Sequence, residues 1–409
     1  MAAVLQPTPA APQPAPHPLR DRNFRMFWAG SAVSLIGDQF YLVALPWVVL
    51  QLTGSAIAMG TIMMAAAIPR AALMLLGGAL TDRTSPRKLL MHTAWARTVF
   101  VAGVGFLLWF HRLQVWELYL LGFAFGVADA FSAPAALTFL PSLVRQEQLT
   151  AANSVVQTTA QLTTIAGPTP AALVIKSLGT AWAFFLDAIS FLFIIGALWR
   201  LPDPAKAAAG RPPLWRSIGD GFASVRRDVP LRSLILLIAM LNLCTSGPMG
   251  VGLPYLTKTR FDSPTAFALL VSSGAAGGLL GALTAGVWKV RRRGLFILGA
   301  CAFLGAALGS IGLLNRLWLI AGVLFLMTTA AGMTNVNIIA WIQKRVEPAM
   351  RGRVMSVVML FGFGLLPVSL AAAGFLITWN LRWTFILAGA SMLMITGFGA
   401  LQKQVREIQ

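Results

Sequence analysis

The feature of this sequence that most restricts its fold is a series of long apolar stretches separated by short charged or turn-forming segments. Roughly 20 apolar residues in an α-helix cross the hydrocarbon of a bilayer. Only 11% of the residues are charged, against about a quarter in soluble domains. We therefore predict an all-α membrane protein with twelve spans, at 24–52, 55–80, 89–110, 116–140, 149–175, 181–199, 231–256, 264–288, 295–314, 318–342, 354–378 and 383–401.

The spans form two sets of six, joined by one long connection. Within this connection, Leu214, Ile218, Phe222 and Val225 recur at helical spacing, which predicts an amphipathic helix along the membrane surface. The predicted organisation is a disordered Pro/Ala-rich tail, an N-terminal bundle, a cytoplasmic linker, a C-terminal bundle and a short tail, at 1–22, 23–200, 201–229, 230–402 and 403–409.

The distribution of positive charge indicates the orientation. The chain has 32 Lys and Arg residues. If the N-terminus is cytoplasmic, 24 of them fall on the inner side, counting Arg25 and Arg232 at the inner ends of their spans, 6 on the outer side and 2 deep within spans. Basic residues favour cytoplasmic loops, so we predict that both termini and the linker are cytoplasmic. Because the basic residues separate apolar runs instead of forming a solvated face, nucleic acid is not an expected partner.

The two halves resemble each other at a fixed offset. Leu45-Pro46 matches Leu253-Pro254 at an offset of 208, and Ser55, Gly78 and Arg83 match Ser263, Gly286 and Arg291 at the same offset. Such an ungapped match indicates a repeat. Parallel six-helix repeats related by a pseudo-two-fold axis are one known transporter architecture, with the substrate site between the halves.

Signatures of other function classes are missing from the sequence. No segment matches a phosphate-cradling loop, a zinc-binding His pair on a helix or a Gly-x-Ser-x-Gly turn. We therefore expect no enzyme activity, no cofactor and no metal. Transport would then depend on an ion gradient or on no energy source.

Five ionisable residues lie inside the predicted spans, roughly 14 to 20 Å deep at 1.5 Å rise per residue; they are Asp38, Arg70, Arg97, Asp129 and Asp187. A charge at this depth is costly, so it is expected to pair or to face water. Depth favours an Asp38–Arg70 pair and an Arg97–Asp129 pair, with Asp187 near either arginine. These residues either form structural ion pairs or couple transport to protons.

The repeat favours coupling over a purely structural role. Under the offset of 208, Asp38 falls on Ser246 and Arg70 on Gly278. If the loops keep their lengths, Asp129 falls on Asn337. The second half therefore lacks these charges, although a purely architectural pair would more readily be kept in both copies.

Polar side chains predict a substrate cavity between the halves. On the fifth span, Asn153, Gln157, Gln161 and Thr164 form one polar stripe. The other half offers Asn242, Thr245, Ser246, Asn335 and Asn337. We assign Gln157, Gln161, Asn242, Ser246, Asn335 and Asn337 to the cavity. Hydrogen bonding between helices of the bundle is the competing interpretation.

The segment between the second and third spans, 78–88, reads GALTDRTSPRK. It resembles the signature loop of the major facilitator superfamily at Gly78, Leu80, Asp82 and Arg83, and departs from it at Ser85 and Pro86. In that family, the loop clamps the cytoplasmic side when the carrier opens outward. The resemblance implies that Gly78, Asp82, Arg83 and Arg87 are gate residues.

Further segments resemble the bacterial exporter branch with macrolide-efflux and siderophore-export carriers, namely 37–38, 68–70, 128–134 and 185–188. The resemblance implies a monomeric, proton-coupled exporter of a small amphipathic drug or metabolite that works by alternating access. Uptake or facilitated diffusion on the same fold is the near alternative. A non-transporting receptor or a lipid enzyme is the remote one.

Overall fold

The computed structural model describes residues 17–203, 214–287, 292–347 and 350–402, with only the backbone described at 74–83, 214–218 and 220. Most of the predicted Pro-rich tail and the short C-terminal tail lie outside these residues. The described part of the chain is helical apart from turns and short connections.

Sixteen α-helices follow one another along the described residues. The N-terminal half contains α1 (Arg22–Thr53), α2 (Ala56–Arg83), α3 (Pro86–Trp109), α4 (Val115–Phe139), α5 (Leu149–Ala166), α6 (Pro168–Leu178) and α7 (Thr180–Arg200). The linker helix is α8 (Leu214–Arg227). The C-terminal half contains α9 (Val229–Gly247), α10 (Leu253–Phe261), α11 (Pro264–Val287), α12 (Arg293–Ile311), α13 (Leu317–Arg345), α14 (Arg351–Gly364), α15 (Leu366–Trp379) and α16 (Leu381–Leu401).

Three of the predicted spans are interrupted. The fifth is divided into α5 and α6 at Gly167, and Pro168 begins the second helix. The seventh passes through a π-helical turn, Pro248–Gly252, between α9 and α10. The eleventh is divided into α14 and α15 at Leu365. Proline lacks the N–H that a helix interior needs but is tolerated in a first turn, which explains the breaks beside a proline.

Eleven helical segments within the described residues are long and apolar enough to cross a membrane. They correspond to every predicted span except the fifth. There α5 has 18 residues and carries the polar stripe, while α6 has only 11 residues. The prediction of a multi-span, all-helical membrane protein is therefore confirmed.

Small residues bring helices close together within each half. In the N-terminal half, a Cβ added at Gly122 on α4 would lie 3.0 Å from the carbonyl oxygen of Ile62 on α2. In the C-terminal half, a Cβ added at Gly332 on α13 would lie 2.5 Å from the carbonyl oxygen of Gly278 on α11. Such close approach of backbones is typical of helix packing in membranes.

The two halves meet at the end of the bundle remote from residues 17 and 402, which we call the far side. A Cβ on Gly60 of α2 would lie 2.6 Å from the carbonyl oxygen of Leu370 on α15. Lys258 Nζ lies 4.6 Å from the centre of the Trp47 ring, across the halves. One buried apolar cluster on this side contains residues of both halves, including Val43 and Phe267.

The opposite end, which we call the terminal side, has a separate apolar cluster in each half. The N-terminal cluster includes Phe24, Phe139 and Leu198. The C-terminal cluster includes Leu231 and Trp341. The bundle is therefore joined at its far side, and each half is packed independently at its terminal side.

The linker helix α8 packs against the C-terminal half. Val225 is buried in the cluster that contains Val354 and Val357. The rings of Phe222 and Phe361 are 5.9 Å apart. Two residues of the predicted apolar face, Phe222 and Val225, thus pack against α14.

Candidate functional site

Asp129 on α4 lies between two arginines. Arg97 Nη2 on α3 contacts Asp129 Oδ1 directly and donates to Ser132 Oγ at 3.3 Å. Arg70 Nη1 on α2 lies 3.6 Å from Asp129 Oδ2. One carboxylate therefore contacts two guanidinium groups where α2, α3 and α4 come together.

Aromatic rings surround the Arg97 guanidinium. Its central carbon lies 5.4 Å from the Phe125 ring centre and 5.7 Å from that of Phe191. A guanidinium over an aromatic face is attracted by the ring quadrupole. The Nε atom of Arg97 is buried and has no hydrogen-bond partner among the described residues. One donor of this arginine is therefore unused.

Asp187 on α7 is fully buried, at 0% exposure. Neither of its carboxylate oxygens has a hydrogen-bond partner in the described part of the chain. Helix α1 comes close because it has a glycine here, and a Cβ added at Gly37 would lie 2.8 Å from Asp187 Oδ1. The next residue, Asp38, is half-buried and lies within electrostatic range of both Asp187 and Arg97.

The structure corrects one predicted pairing. It pairs Arg97 with Asp129, as expected from sequence, but Asp38 forms no ion pair with Arg70. Arg70 turns toward the other half, where its guanidinium lies 5.9 Å from the Phe363 ring centre and its side chain is 50% exposed. The similar depth of Asp38 and Arg70 in the membrane was therefore insufficient to predict a pair. The two residues lie on helices with different neighbours, since α2 packs on α4 while α1 packs on α7.

The side chains of three predicted gate residues, Gly78, Asp82 and Arg83, lie outside the described set. The fourth, Arg87, donates from Nε to the carbonyl oxygen of Leu198 at 2.6 Å and from Nη2 to that of Trp199 at 3.0 Å. A cation there satisfies carbonyl groups at the end of α7. Arg87 thus fixes the start of α3 to its own half.

The predicted cavity residues fall into two groups. Gln157 and Asn335 are exposed and Ser246 is half-buried, and Gln161 Nε2 donates across the halves to the carbonyl oxygen of Ala275 at 3.1 Å. The remaining two residues form hydrogen bonds to helix backbones, since Asn242 donates to the Gly362 carbonyl oxygen at 3.2 Å and Asn337 to the Met333 carbonyl oxygen at 2.9 Å.

Sequence reasoning missed the aromatic residues beside the charges. Phe125, Phe191 and Phe363 lie near the arginines. Tyr41 stacks on Phe125 with ring centres 4.1 Å apart. Aromatic residues are common throughout these spans, so their presence alone does not indicate a site. The one available signal was the position of Phe125, which lies four residues before Asp129 and therefore on the same face of α4.

Comparison with known proteins fits this arrangement of helices. The family model described as Major Facilitator Superfamily matches residues 27–367. The chain belongs to the Major Facilitator Superfamily. Solved structures with a similar fold include that of the nucleoside transporter NupG, at a TM-score of 0.75 with 12% identity over 93% of this chain and 98% of that one. A bacterial homologue of the iron transporter ferroportin, in an inward-facing state, has a TM-score of 0.68 with 18% identity over 93% and 98%.

Proteins similar to this chain in sequence include efflux proteins. Macrolide efflux protein A of Streptococcus pyogenes is 25% identical over 94% of this chain and 97% of its own length. The multidrug efflux pump Tap of Mycolicibacterium fortuitum is 27% identical over 91% and 93%. The expected resemblance to bacterial exporters of the superfamily is thus confirmed, and the protein is a membrane transporter.

Proposed function

We propose that this protein exports small amphipathic drugs or metabolites across the bacterial inner membrane by alternating access, driven by protons, and acts as a monomer. The observation that carries the proposal is a bundle joined at its far side, with charged and amide side chains between halves that are packed separately at the terminal side. Such a site can be exposed on alternate sides when the halves rock. Relatives named for macrolide and multidrug efflux support the direction and the class of substrate.

Twelve crossings in two pseudo-symmetric halves are part of the proposal. The pair α5 and α6 would supply the fifth crossing, with a break at Gly167. Corresponding contacts support the symmetry, since α2 packs on α4 in one half as α11 packs on α13 in the other. An interruption of this kind is tolerated in a span that faces the cavity, because backbone N–H and C=O groups that lack a partner within the helix can bond to water there.

We further propose that the terminal side is cytoplasmic and that this conformation of the carrier is the inward-open one. The fourfold excess of basic residues on that side supports this orientation. Single cysteines introduced at Ser217 and at Gln409, in a background lacking Cys244 and Cys301, should resist impermeant thiol reagents in intact cells. A cysteine at His111, between α3 and α4, is the matched control that should react. Ready labelling at both inner positions would overturn the orientation.

The cavity surface between the halves suits an amphipathic substrate. We place on this surface the Arg70 guanidinium, the Phe363 ring and the amides of Gln157 and Asn335, since Arg70 lies beside Phe363 and both amides are exposed. Large apolar ligands gain most of their affinity from contact area, and a few polar groups fix their orientation. We therefore assign these four residues to substrate binding, together with Gln161 and Ser246.

We propose that Asp82 and Arg83 act as a conformational gate and do not contact the substrate. Both lie at the end of α2 on the terminal side, away from the cavity. Asp82→Asn should slow transport at least about tenfold and leave ligand binding within about threefold, because a gate alters the exchange between states. Binding of a fluorescent drug to the purified variant and its flux in vesicles measure the two effects. A large loss of affinity with normal turnover would contradict the gate.

A drug-tolerance screen tests the proposed function. Expression of the protein in an efflux-deficient host should raise tolerance to at least one amphipathic antibiotic or dye, and Asp38→Asn expressed at equal level should not. Accumulation of the same compound measured in energised cells must fall in parallel. No change in tolerance or accumulation across a broad panel would count against export and favour uptake or facilitated diffusion.

A further inference from the structure

The carboxyl of Asp187 is one of the buried polar groups of the N-terminal half that have no hydrogen-bond partner among the described residues, and both of its oxygens are affected. Asp187 is fully buried. The hydroxyl of its neighbour Ser190 donates to the backbone carbonyl oxygen of Asp187 at 2.7 Å. Burial of an ionised carboxylate without partners costs several kcal/mol, so this group is not expected to be an isolated anion.

Few charged or titratable groups surround Asp187. Helix α1 contributes Asp38 and Tyr41, and α3 contributes Arg97. Helix α6, which also packs on α7, carries one charged residue, Lys176, in its last turn on the far side. The nearest cation is therefore Arg97, whose Nη2 atom is already engaged by Asp129.

The charges in this part of the bundle do not balance if all are ionised. Two guanidinium groups, Arg70 and Arg97, face three carboxyl groups, Asp38, Asp129 and Asp187. One negative charge is in excess. Two neighbouring carboxylates in a low-dielectric interior do not both ionise readily, and the usual result is that one of them holds a proton.

We infer that Asp187 holds a proton in this conformation, with Asp38 as its ionised neighbour, and that this is the proton which the carrier exchanges for its substrate. The first part rests on the burial and the missing partners of the carboxyl together with the balance of the neighbouring charges, and the second part rests on the proposed function. On release, the O–H bond of Asp187 breaks and the proton passes by way of the half-buried Asp38 to water in the open cavity. The carboxylate that remains can then accept from the unused Nε of Arg97.

Infrared spectroscopy of the purified protein in ester-free detergent tests the protonation directly, without a substrate. At neutral pH the wild-type protein should show one carbonyl band of a protonated carboxyl group, shifted in D₂O. Asp187→Asn should remove this band. Asp38→Asn should weaken it at least about twofold, because two carboxylates then balance two arginines and Asp187 can ionise against Arg97. Asp262→Asn, which changes a carboxyl with a 74% exposed side chain, is the matched control and should leave the band intact.

Two results would overturn the inference. Absence of the band from the well-folded wild-type protein would mean that Asp187 is ionised or that a metal ion occupies its place. A band that survives Asp187→Asn would place the proton on another residue. Because the spectrum needs no transport, failure here is distinct from failure of export, and a normal spectrum with no gradient-driven flux would leave Asp187 protonated but remove its role in coupling.

Discussion

Asp129→Asn should destabilise the protein by about 3 kcal/mol or more, because it leaves two arginines without their shared carboxylate. Removal of one partner from a buried ion pair typically costs about 3–5 kcal/mol, since the remaining charge stays desolvated. The side chain of Arg97 is only 14% exposed, so water cannot replace the lost partner there. The variant in detergent should unfold at a temperature several degrees below that of the wild-type protein. Loss of the monodisperse peak in size-exclusion chromatography after heating measures this unfolding.

The matched control for this effect is Asp262→Asn on the far side. Asp262 contacts Lys258 at 2.5 Å, but its side chain is 74% exposed. An exposed pair spaced four residues apart is worth about 0.3–0.5 kcal/mol. Equal losses of stability in the two variants would show that Asp129 is not the electrostatic centre of the N-terminal half. A double-mutant cycle with Arg97→Gln should give a large coupling energy between Arg97 and Asp129.

The second large effect is expected at Asp38, where Asp38→Asn should reduce gradient-driven export at least about tenfold. Loss of this charge removes the acid that, in our proposal, passes the proton between Asp187 and the cavity. Substrate should still move down its own gradient, because the halves and the cavity are unchanged. Counterflow in proteoliposomes measures that movement separately from uphill transport.

A second substitution, at Arg70, distinguishes the Arg70–Asp129 contact seen in the structure from the Asp38–Arg70 pair expected from their similar depth. If Asp38 and Arg70 were partners, replacement of both would restore much of the stability that either single change costs. In the structure Arg70 lies beside Asp129, so the Asp38→Asn, Arg70→Gln double mutant should regain neither stability nor export. Recovery of both stability and export would show that Asp38 and Arg70 are partners.

Helix positions were largely predictable because long apolar runs end at charges, prolines and glycines. The predicted stretch at 89–110, for example, corresponds to α3, Pro86–Trp109, which begins with a proline capped by Ser85. The positions where spans are interrupted were harder to predict from the sequence. Proline sits inside α1, α2 and α4 without dividing them, so its presence alone did not indicate that the eleventh span would be two helices.

The set of buried charges was visible in the sequence, and their partners were not. Depth follows from residue number at 1.5 Å per residue. Direction around the helix axis depends on which neighbour a helix packs against, and this neighbour is a long-range property. Gly37, which precedes Asp38, allows α1 to approach α7 closely. Arg70 faces the other half instead, where Phe363 lies.

The central claim is that a proton gradient drives export through this carrier. Proteoliposomes with an imposed pH gradient and a radiolabelled macrolide as probe test it most directly. The wild-type protein should accumulate the probe against its gradient when the lumen is acidic, an ionophore that collapses the gradient should abolish accumulation, and Asp38→Asn should show downhill flux only. Wild-type flux no greater than that of empty liposomes, or accumulation that is indifferent to the pH gradient, would contradict the account.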